Sequence, residues 1–480
     1  MQIVPSTIVA LIAIAILFRQ GPRQGFWAFL ALTPMGAAAA FNLPAVGGAS
    51  ILLMQLGVMV VFAMVCLVHG GLDRLAGSMR PGQTGFWVAL VLVYCVFSAL
   101  FAARVFQGQT EVFSLARSVN KTGIVSVPLR ATTGNITQLF ALVLAIFSFF
   151  AFATLFRVNP DRHAAMKAMA AVTIVHVGLG WLDVLSHAVG APQFLDFLQT
   201  ANYAILDTHR MIGIKRMVGG FSESSAFGAF SVGLFAFWLV LWLSGPTQPW
   251  QRLLLVLSLI AVLRSTSSGG YVSLVIFLLL TGGWLLARNL RDTMDRRVLL
   301  VCLMLVIGMW ICALAIFGAY HFSSGFSAFI DRSLLTKLES SSGIERMSWN
   351  AQAFKNFVDT GLMGAGLGSV RASNWLIATL GSLGLPGTFL CLGVIVSVWR
   401  TGRTVQDPMM RALITSLKAA CLGLFLNDLL SAPSPVPSVF MLTLVGTIVG
   451  LARGYELQNA VPDPRRALRT SLRTLPVAAE

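Results

Sequence analysis

The chain has 480 residues, of which 56% are hydrophobic and 11% charged, and its formal net charge is +16. So few charged groups cannot cover a water-soluble globule of this size, and the composition predicts an all-α polytopic integral membrane protein. The positive balance does not imply nucleic acid, because Lys and Arg fall in short connections between apolar runs rather than on one soluble basic face.

Apolar stretches long enough to cross a hydrocarbon core about 30 Å thick recur along the chain, and such crossings are helical because lipid leaves no other partner for the backbone. They predict about thirteen spans, at 3–18, 26–41, 49–68, 85–103, 136–156, 169–187, 226–244, 253–263, 271–287, 298–318, 376–398, 412–429 and 437–452. The first run, from Ile3, has no basic residue before it and no small-residue cleavage site after it, so it reads as a span. Arg19 and Arg23 follow it, which predicts an external N-terminus, a single membrane domain over 1–452 and a basic cytoplasmic tail over 453–480. Cys66, Cys95, Cys302, Cys312, Cys391 and Cys421 all lie in apolar runs without a C-x-x-C spacing, the pattern of small hydrophobes. With only six histidines besides, no metal site and no cofactor are expected.

The sixth predicted span carries His176, Asp183 and His187, the last two on one helical face. Together with Lys418 and Asp428 they raise proton-coupled transport, although Lys418 and Asp428 fall near opposite ends of one span, where interface anchoring accounts for them. Next comes "KRMVGGFSESSAFG", residues 215–228, with Lys215 and Arg216 before two glycines and Glu223 at the start of a span. Glu223 can cap that helix, pair with an external arginine, or take a proton from an attacking hydroxyl. The turn "RSTSSGG" then sets Arg264 among the hydroxyls of Ser265, Thr266, Ser267 and Ser268, which could orient it.

The longest loop, 319–375, contains Arg332, Lys337, Arg346, Lys355 and Arg371. Within it, Ile344, Met347, Ala351, Phe354 and Val358 follow three- and four-residue steps, predicting a helix that lies at the membrane interface. The "GAGLG" that follows lacks a preceding strand and a trailing Lys-Ser/Thr, so it reads as a backbone hinge rather than a nucleotide loop, with amides that could still meet an anion.

Counting connections from an external N-terminus, Lys and Arg are more than twice as dense on the cytoplasmic side, in keeping with the positive-inside rule. Yet thirteen remain outside, several of them arginines. A guanidinium matches two phosphate oxygens at once and stays charged when partly desolvated, so an external cluster suits a lipid carrying a diphosphate. Glu339, Glu345, His209 and His321 are further external acid or base candidates.

These pieces resemble the bacterial O-antigen ligase and Wzy-type polysaccharide polymerase superfamily, over roughly residues 200–450 by motif. Arg216 with Gly219 matches its R-x-x-G, Arg264 to Gly270 its Ser/Arg-rich turn, and Arg346 with Trp349, Gly364, Gly366, Gly368 and Ser369 its loop motif. Asn374, Gly384 and Gly387 match the ligase pattern of a polar residue, nine residues and Gly-x-x-Gly, but Ser373 stands where the ligase histidine does. That favours the polymerase branch. The resemblance implies a fold like that of type C glycosyltransferases in the bacterial inner membrane. It also implies metal-independent, inverting polymerisation, on the periplasmic face, of undecaprenyl-diphosphate-linked oligosaccharides, which are both donor and acceptor. Chain-length regulators and export proteins would be partners. The expected site comprises Arg216, Arg264, Arg346, Arg371 and Lys215 on the diphosphate, Glu223 and Arg264 as catalytic groups, and Ser373, Asn374 and Trp349 on the acceptor or glycan. The alternatives are transfer to a lipid A core by a ligase, and transport of the same lipid by a flippase, which would line a cavity with charge on both sides.

Overall fold

A computed structural model describes residues 2–43, 49–115, 124–202, 210–211, 214–291 and 341–460, and part of 303–331. The chain is a mostly helical membrane protein. Eight of its described helices are long and apolar enough to cross a bilayer: α5 (Thr84–Val105), α6 (Thr133–Val158), α7 (Arg162–Ala188), α8 (Ser224–Ser244), α10 (Ser268–Arg291, apolar through Ala287), α12 (Trp375–Arg400), α13 (Pro408–Ser431) and α14 (Val439–Asn459). Each overlaps an expected span.

The remaining expectations change. The first run becomes α1 (Thr7–Gln24), broken at its end by Gly21 at φ 76° and Pro22. The expected span 26–41 is not one helix: α2 (Phe26–Ala31) makes under two turns, and Ala39–Leu43 (β2) then pairs with Gln2–Ile3 (β1) and Ala49–Leu52 (β3). The sheet uses Phe41 and its neighbours as strand residues, so an apolar run too short for a full crossing finds its backbone partners between strands instead. From β3 the chain enters α3 (Leu53–Leu67), bent by 108° from α4 (Gly71–Ser78). The expected span 253–263 becomes α9 (Pro249–Arg264), capped at its start by Gln251 bonding the Gln248 amide. The expected span 298–318 lies outside the described residues as a span, as do Arg332, Lys337, Glu339, His209 and the tail from 461. The helix α14 continues through Asn459, so the expected tail begins inside it.

One apolar cluster runs through α1 to α3, α5 to α9 and α12 to α14, built on Phe26, Phe149, Phe152 and Phe156. Gly446, Gly450 and Gly454 of α14 face the α6 backbone, where an added Cβ would come within 2.4 to 2.7 Å of its neighbours. Small residues at that spacing let two helices approach closely, which is how spans associate without a hydrophobic driving force.

Connections gather at two faces. On one, Thr200 bonds Ser6 and Ala39, the Gly220 carbonyl bonds the Ala37 amide, Asp359 accepts from Thr110, and Ala372 bonds Pro433. On the other, Arg162 meets Asp407, Glu456 accepts from Thr404, and Thr84 bonds Ser397. The first face holds every predicted site residue.

Candidate functional site

The segment after α7 is held from below by a buried carboxylate. Asp183, with no exposed surface, accepts the Lys215 ammonium on Oδ1 at 2.8 Å and the amides of Val218 and Gly219 on Oδ2 at 2.8 and 3.1 Å. A buried charge survives only when paired and hydrogen-bonded, and here three donors meet that demand. His187 Nδ1 lies 2.9 Å from the Asp183 carbonyl and 3.4 Å from Oδ1. Lys215 therefore serves as the partner of Asp183. It is 8% exposed, and the expected diphosphate contact from its ammonium is not supported by this placement. Gly219, at φ 58°, fits under Phe227 and against Gly180, where a Cβ would be strained by that backbone and crowded at 3.1 to 3.2 Å.

Pinning 215–219 fixes two arginines. Arg216 donates from Nε to the Thr266 hydroxyl at 3.1 Å and from Nη2 to the Thr266 carbonyl at 3.0 Å. Arg264 donates from Nη1 to the Lys215 carbonyl at 2.8 Å. The hydroxyls of the 264–270 turn therefore do not orient Arg264, as the sequence suggested; Thr266 orients Arg216. Thr266 is buried and sits at φ 49°, a left-handed conformation that costs a β-branched residue about 1 to 3 kcal/mol. Gly228 of α8 lets the turn approach, since a Cβ there would lie 2.9 Å from Ser265 Oγ. Arg216 spends two of its five N–H donors and Arg264 one, which leaves most of both guanidinium groups for a ligand.

Glu223 occupies the N-cap position of α8 without a capping hydrogen bond; it accepts from the Ser225 hydroxyl. It forms no direct ion pair with Arg216 but stands close enough for its charge to favour the charged guanidinium. Burial works more strongly the other way and holds Arg216 below the usual arginine range. Tyr271, absent from the sequence-based set, lies beside both arginines and donates to the Leu263 carbonyl at 2.6 Å. Its place in "SGGYVS" gave no sign of that, because the contact is made backward across the turn.

A second group forms on the loop helix. α11 (Ser341–Asp359) turns the predicted apolar stripe outward: Ile344, Met347, Phe354 and Val358 are all more than half exposed or at half, while Ala353 and Phe357 pack inward. An outward apolar stripe is what a helix lying against lipid requires. Arg346 and Trp349 are three residues apart on it. Arg371 stacks on Trp349 with Cζ 4.2 Å from the ring centre, and its Nε is buried with no partner. Arg346 has no ion pair or hydrogen bond among the described residues. The Ser373 amide bonds Asn350 Oδ1 at 2.7 Å, and Asn374 caps α12 by accepting from the Ile377 amide at 3.1 Å. Asn374 thus has a structural duty at the position expected to meet glycan.

The glycine-rich loop is a clasp. α12 is broken at Gly384 (φ 65°, ψ −165°), next to Pro386. The loop repairs the break: Ala365 and Gly366 amides bond the Gly381 and Ser382 carbonyls at 2.8 and 3.0 Å, and the Leu385 amide bonds Leu362 at 2.9 Å. A broken span is tolerated where protein re-satisfies its backbone. The amides expected to be open to an anion are therefore occupied at 364 to 367, Gly364 by Thr360 and Leu367 by Ser98.

Both groups flank the end of α13. Gly269 faces Asn427, with a Cβ there 3.3 Å from Oδ1, and Ala372 bonds Pro433 just beyond the helix. No hydrogen bond or ion pair joins Arg216 or Arg264 to Arg346 or Arg371. Close by, an apolar cavity of about 180 Å³ opens among α5, α6, α12, α13 and α14, reaching Leu367, Trp375 and Pro435. None of the predicted cations lines it. Lys418 and Asp428 do, ten residues and so about 15 Å apart along α13. Lys418 donates to the Trp399 and Thr401 carbonyls at the end of α12, which makes it a helix C-cap. His176 is enclosed by Phe227 and Phe230 and bonds Ser231 at 2.7 Å, and it makes no hydrogen bond to Asp183. Among the described residues, no three His, Cys, Asp or Glu gather as a metal-binding set. No protein-family model matches the chain, and no curated protein matches it.

Proposed function

We propose that the protein is a glycosyltransferase that polymerises undecaprenyl-diphosphate-linked oligosaccharide units at the periplasmic face of the bacterial inner membrane. The observation that carries this reading is the pairing of Arg216 and Arg264, braced through Thr266 and the Lys215 carbonyl, with most of their N–H donors unspent. Fixed donors aimed at developing negative charge stabilise a transition state without reorganising, and a departing lipid diphosphate develops such charge. The apolar cavity beside the second group suits the isoprenoid tail of the carrier.

In the proposed reaction an acceptor sugar hydroxyl attacks the anomeric carbon of the donor. The new glycosidic bond forms as the bond to the diphosphate oxygen breaks, and the configuration inverts. Arg216 and Arg264 take the diphosphate charge. The hydroxyl proton passes to Glu223, whose Oε2 has no hydrogen bond among the described residues and which stands beside Arg216. Trp349, stiffened by Arg371, offers a ring face for a sugar, and the Ser373 hydroxyl has no protein partner among the described residues.

The test supplies purified protein with a single carrier-linked oligosaccharide and resolves products by mass. A ladder of repeat lengths is expected. Transfer only to added lipid A core would assign the ligase activity instead, and movement of labelled lipid across proteoliposomes without new bonds would assign a flippase.

A further inference from the structure

A separate cation group lies at the opposite face, away from every residue of the proposed site. Arg157 ends α6, Arg453 sits near the end of α14, and Arg80 occupies the turn between α4 and α5. Gly454, next to Arg453, packs on the Arg157 backbone, and the Arg157 guanidinium lies over Gly77, three residues before Arg80. Arg453 and Arg80 both act electrostatically on that guanidinium, so three positive charges share one region. Like charges gathered this way repel unless something neutralises them.

Among the described residues one carboxylate pairs with the group, Glu456, which meets Arg453 Nη1 at 2.9 Å. That leaves two charges uncompensated. The remaining donors are not simply hydrated: Arg157 Nη1 and Arg453 Nε are buried and have no hydrogen-bond partner. The Arg157 guanidinium lies in van der Waals reach of Gly77 on α4, with Nη1 3.4 Å from the position a Cβ would take.

The neighbouring surface identifies the occupant. α3 turns by 108° into α4. Around the bend Leu67, Val68 and Leu72 are 85, 55 and 63% exposed. Apolar side chains exposed on the helix that carries Gly77, and at the bend just before it, fit an amphiphile with acyl chains and an anionic head, and basic pockets between spans hold such heads. A free inorganic anion would gain nothing from the leucines.

We propose that Arg80, Arg157 and Arg453 form a binding site for the phosphodiester head of an anionic phospholipid, with its acyl chains against Leu67 and Leu72. Native mass spectrometry of the full chain in dodecyl maltoside tests it, using dioleoylphosphatidylglycerol and dioleoylphosphatidylcholine as probes. Phosphatidylglycerol is expected to bind about tenfold or more tightly than phosphatidylcholine, at about fivefold per arginine. The double variant Arg157→Gln, Arg453→Gln should remove that preference, while Arg252→Gln, an exposed cation on α9, should keep it. Should the double variant fail to fold, Arg80→Gln, which alters an exposed side chain, is expected to weaken phosphatidylglycerol about fivefold. Equal binding of the two lipids by the unaltered protein, full preference in the variants, or displacement by millimolar inorganic phosphate would each overturn the proposal.

Discussion

Arg216 and Arg371 are the same residue type on the same face, yet they are held by different physics. Arg216 is fixed by two directional bonds to Thr266, on a segment that buried Asp183 fastens from the other side. Arg371 lies on the Trp349 ring, a contact that sets its plane but not its rotation, and its Nε is left without a partner. Hydrogen bonds specify where a guanidinium points; a stacked ring specifies only what it lies on. The first arrangement suits stabilising charge at one atom, and the second suits gripping a flat, variable ligand such as a sugar.

The comparison breaks most sharply at Asp183. Asp183→Asn leaves the Lys215 ammonium buried without its charge partner, and a loss of about 3 to 5 kcal/mol in unfolding stability is expected by thermal or denaturant melting in detergent. The arrangement at Arg216 should then loosen while the Arg371 stack persists, so Trp349 fluorescence should change little below the transition.

Arg216→Ala and Arg264→Ala should each lower turnover on a carrier-linked donor by about two to three orders of magnitude, the effect of losing one fixed donor at a developing oxyanion. Near-normal turnover in Arg264→Ala would remove that arginine from the site. Trp349→Ala should cost about tenfold, chiefly in acceptor KM, because a stacking contact contributes about 0.5 to 2 kcal/mol. An effect on kcat as large as that of Arg216→Ala would erase the distinction between the groups. Ser373→Ala is expected to be smallest, about fivefold in acceptor KM, the worth of a single neutral hydrogen bond.

Much of the helical scaffold was legible in the chain because crossing lipid demands long apolar runs, and eight such runs emerge as helices close to their expected places. Residues 26–41 misled for a definable reason: they are apolar but for the Thr33, Pro34 and Gly36 that break them, and apolarity alone does not separate a short buried helix followed by a strand from a span. The candidate cations were visible by type and by their persistence on one side. Their duties were not. Lys215 reads like Arg216 in sequence, but it answers to Asp183, thirty-two residues earlier, so only one of two adjacent cations keeps its donors. Asn374 fits a functional pattern and caps a helix. The glycines of "GAGLG" look like a place for an anion and instead carry amides that mend the break at Gly384.

The sequence by itself determined that this chain lives in a membrane, and it marked which segments carry uncompensated positive charge. Those properties follow from composition and period, which act locally along the chain. Tertiary structure alone decided which charges are spent on the protein and which are left over, because that balance depends on carboxylates, carbonyls and ring faces brought in from distant segments. It placed Asp183 under Lys215, Thr266 against Arg216 and Trp349 beneath Arg371.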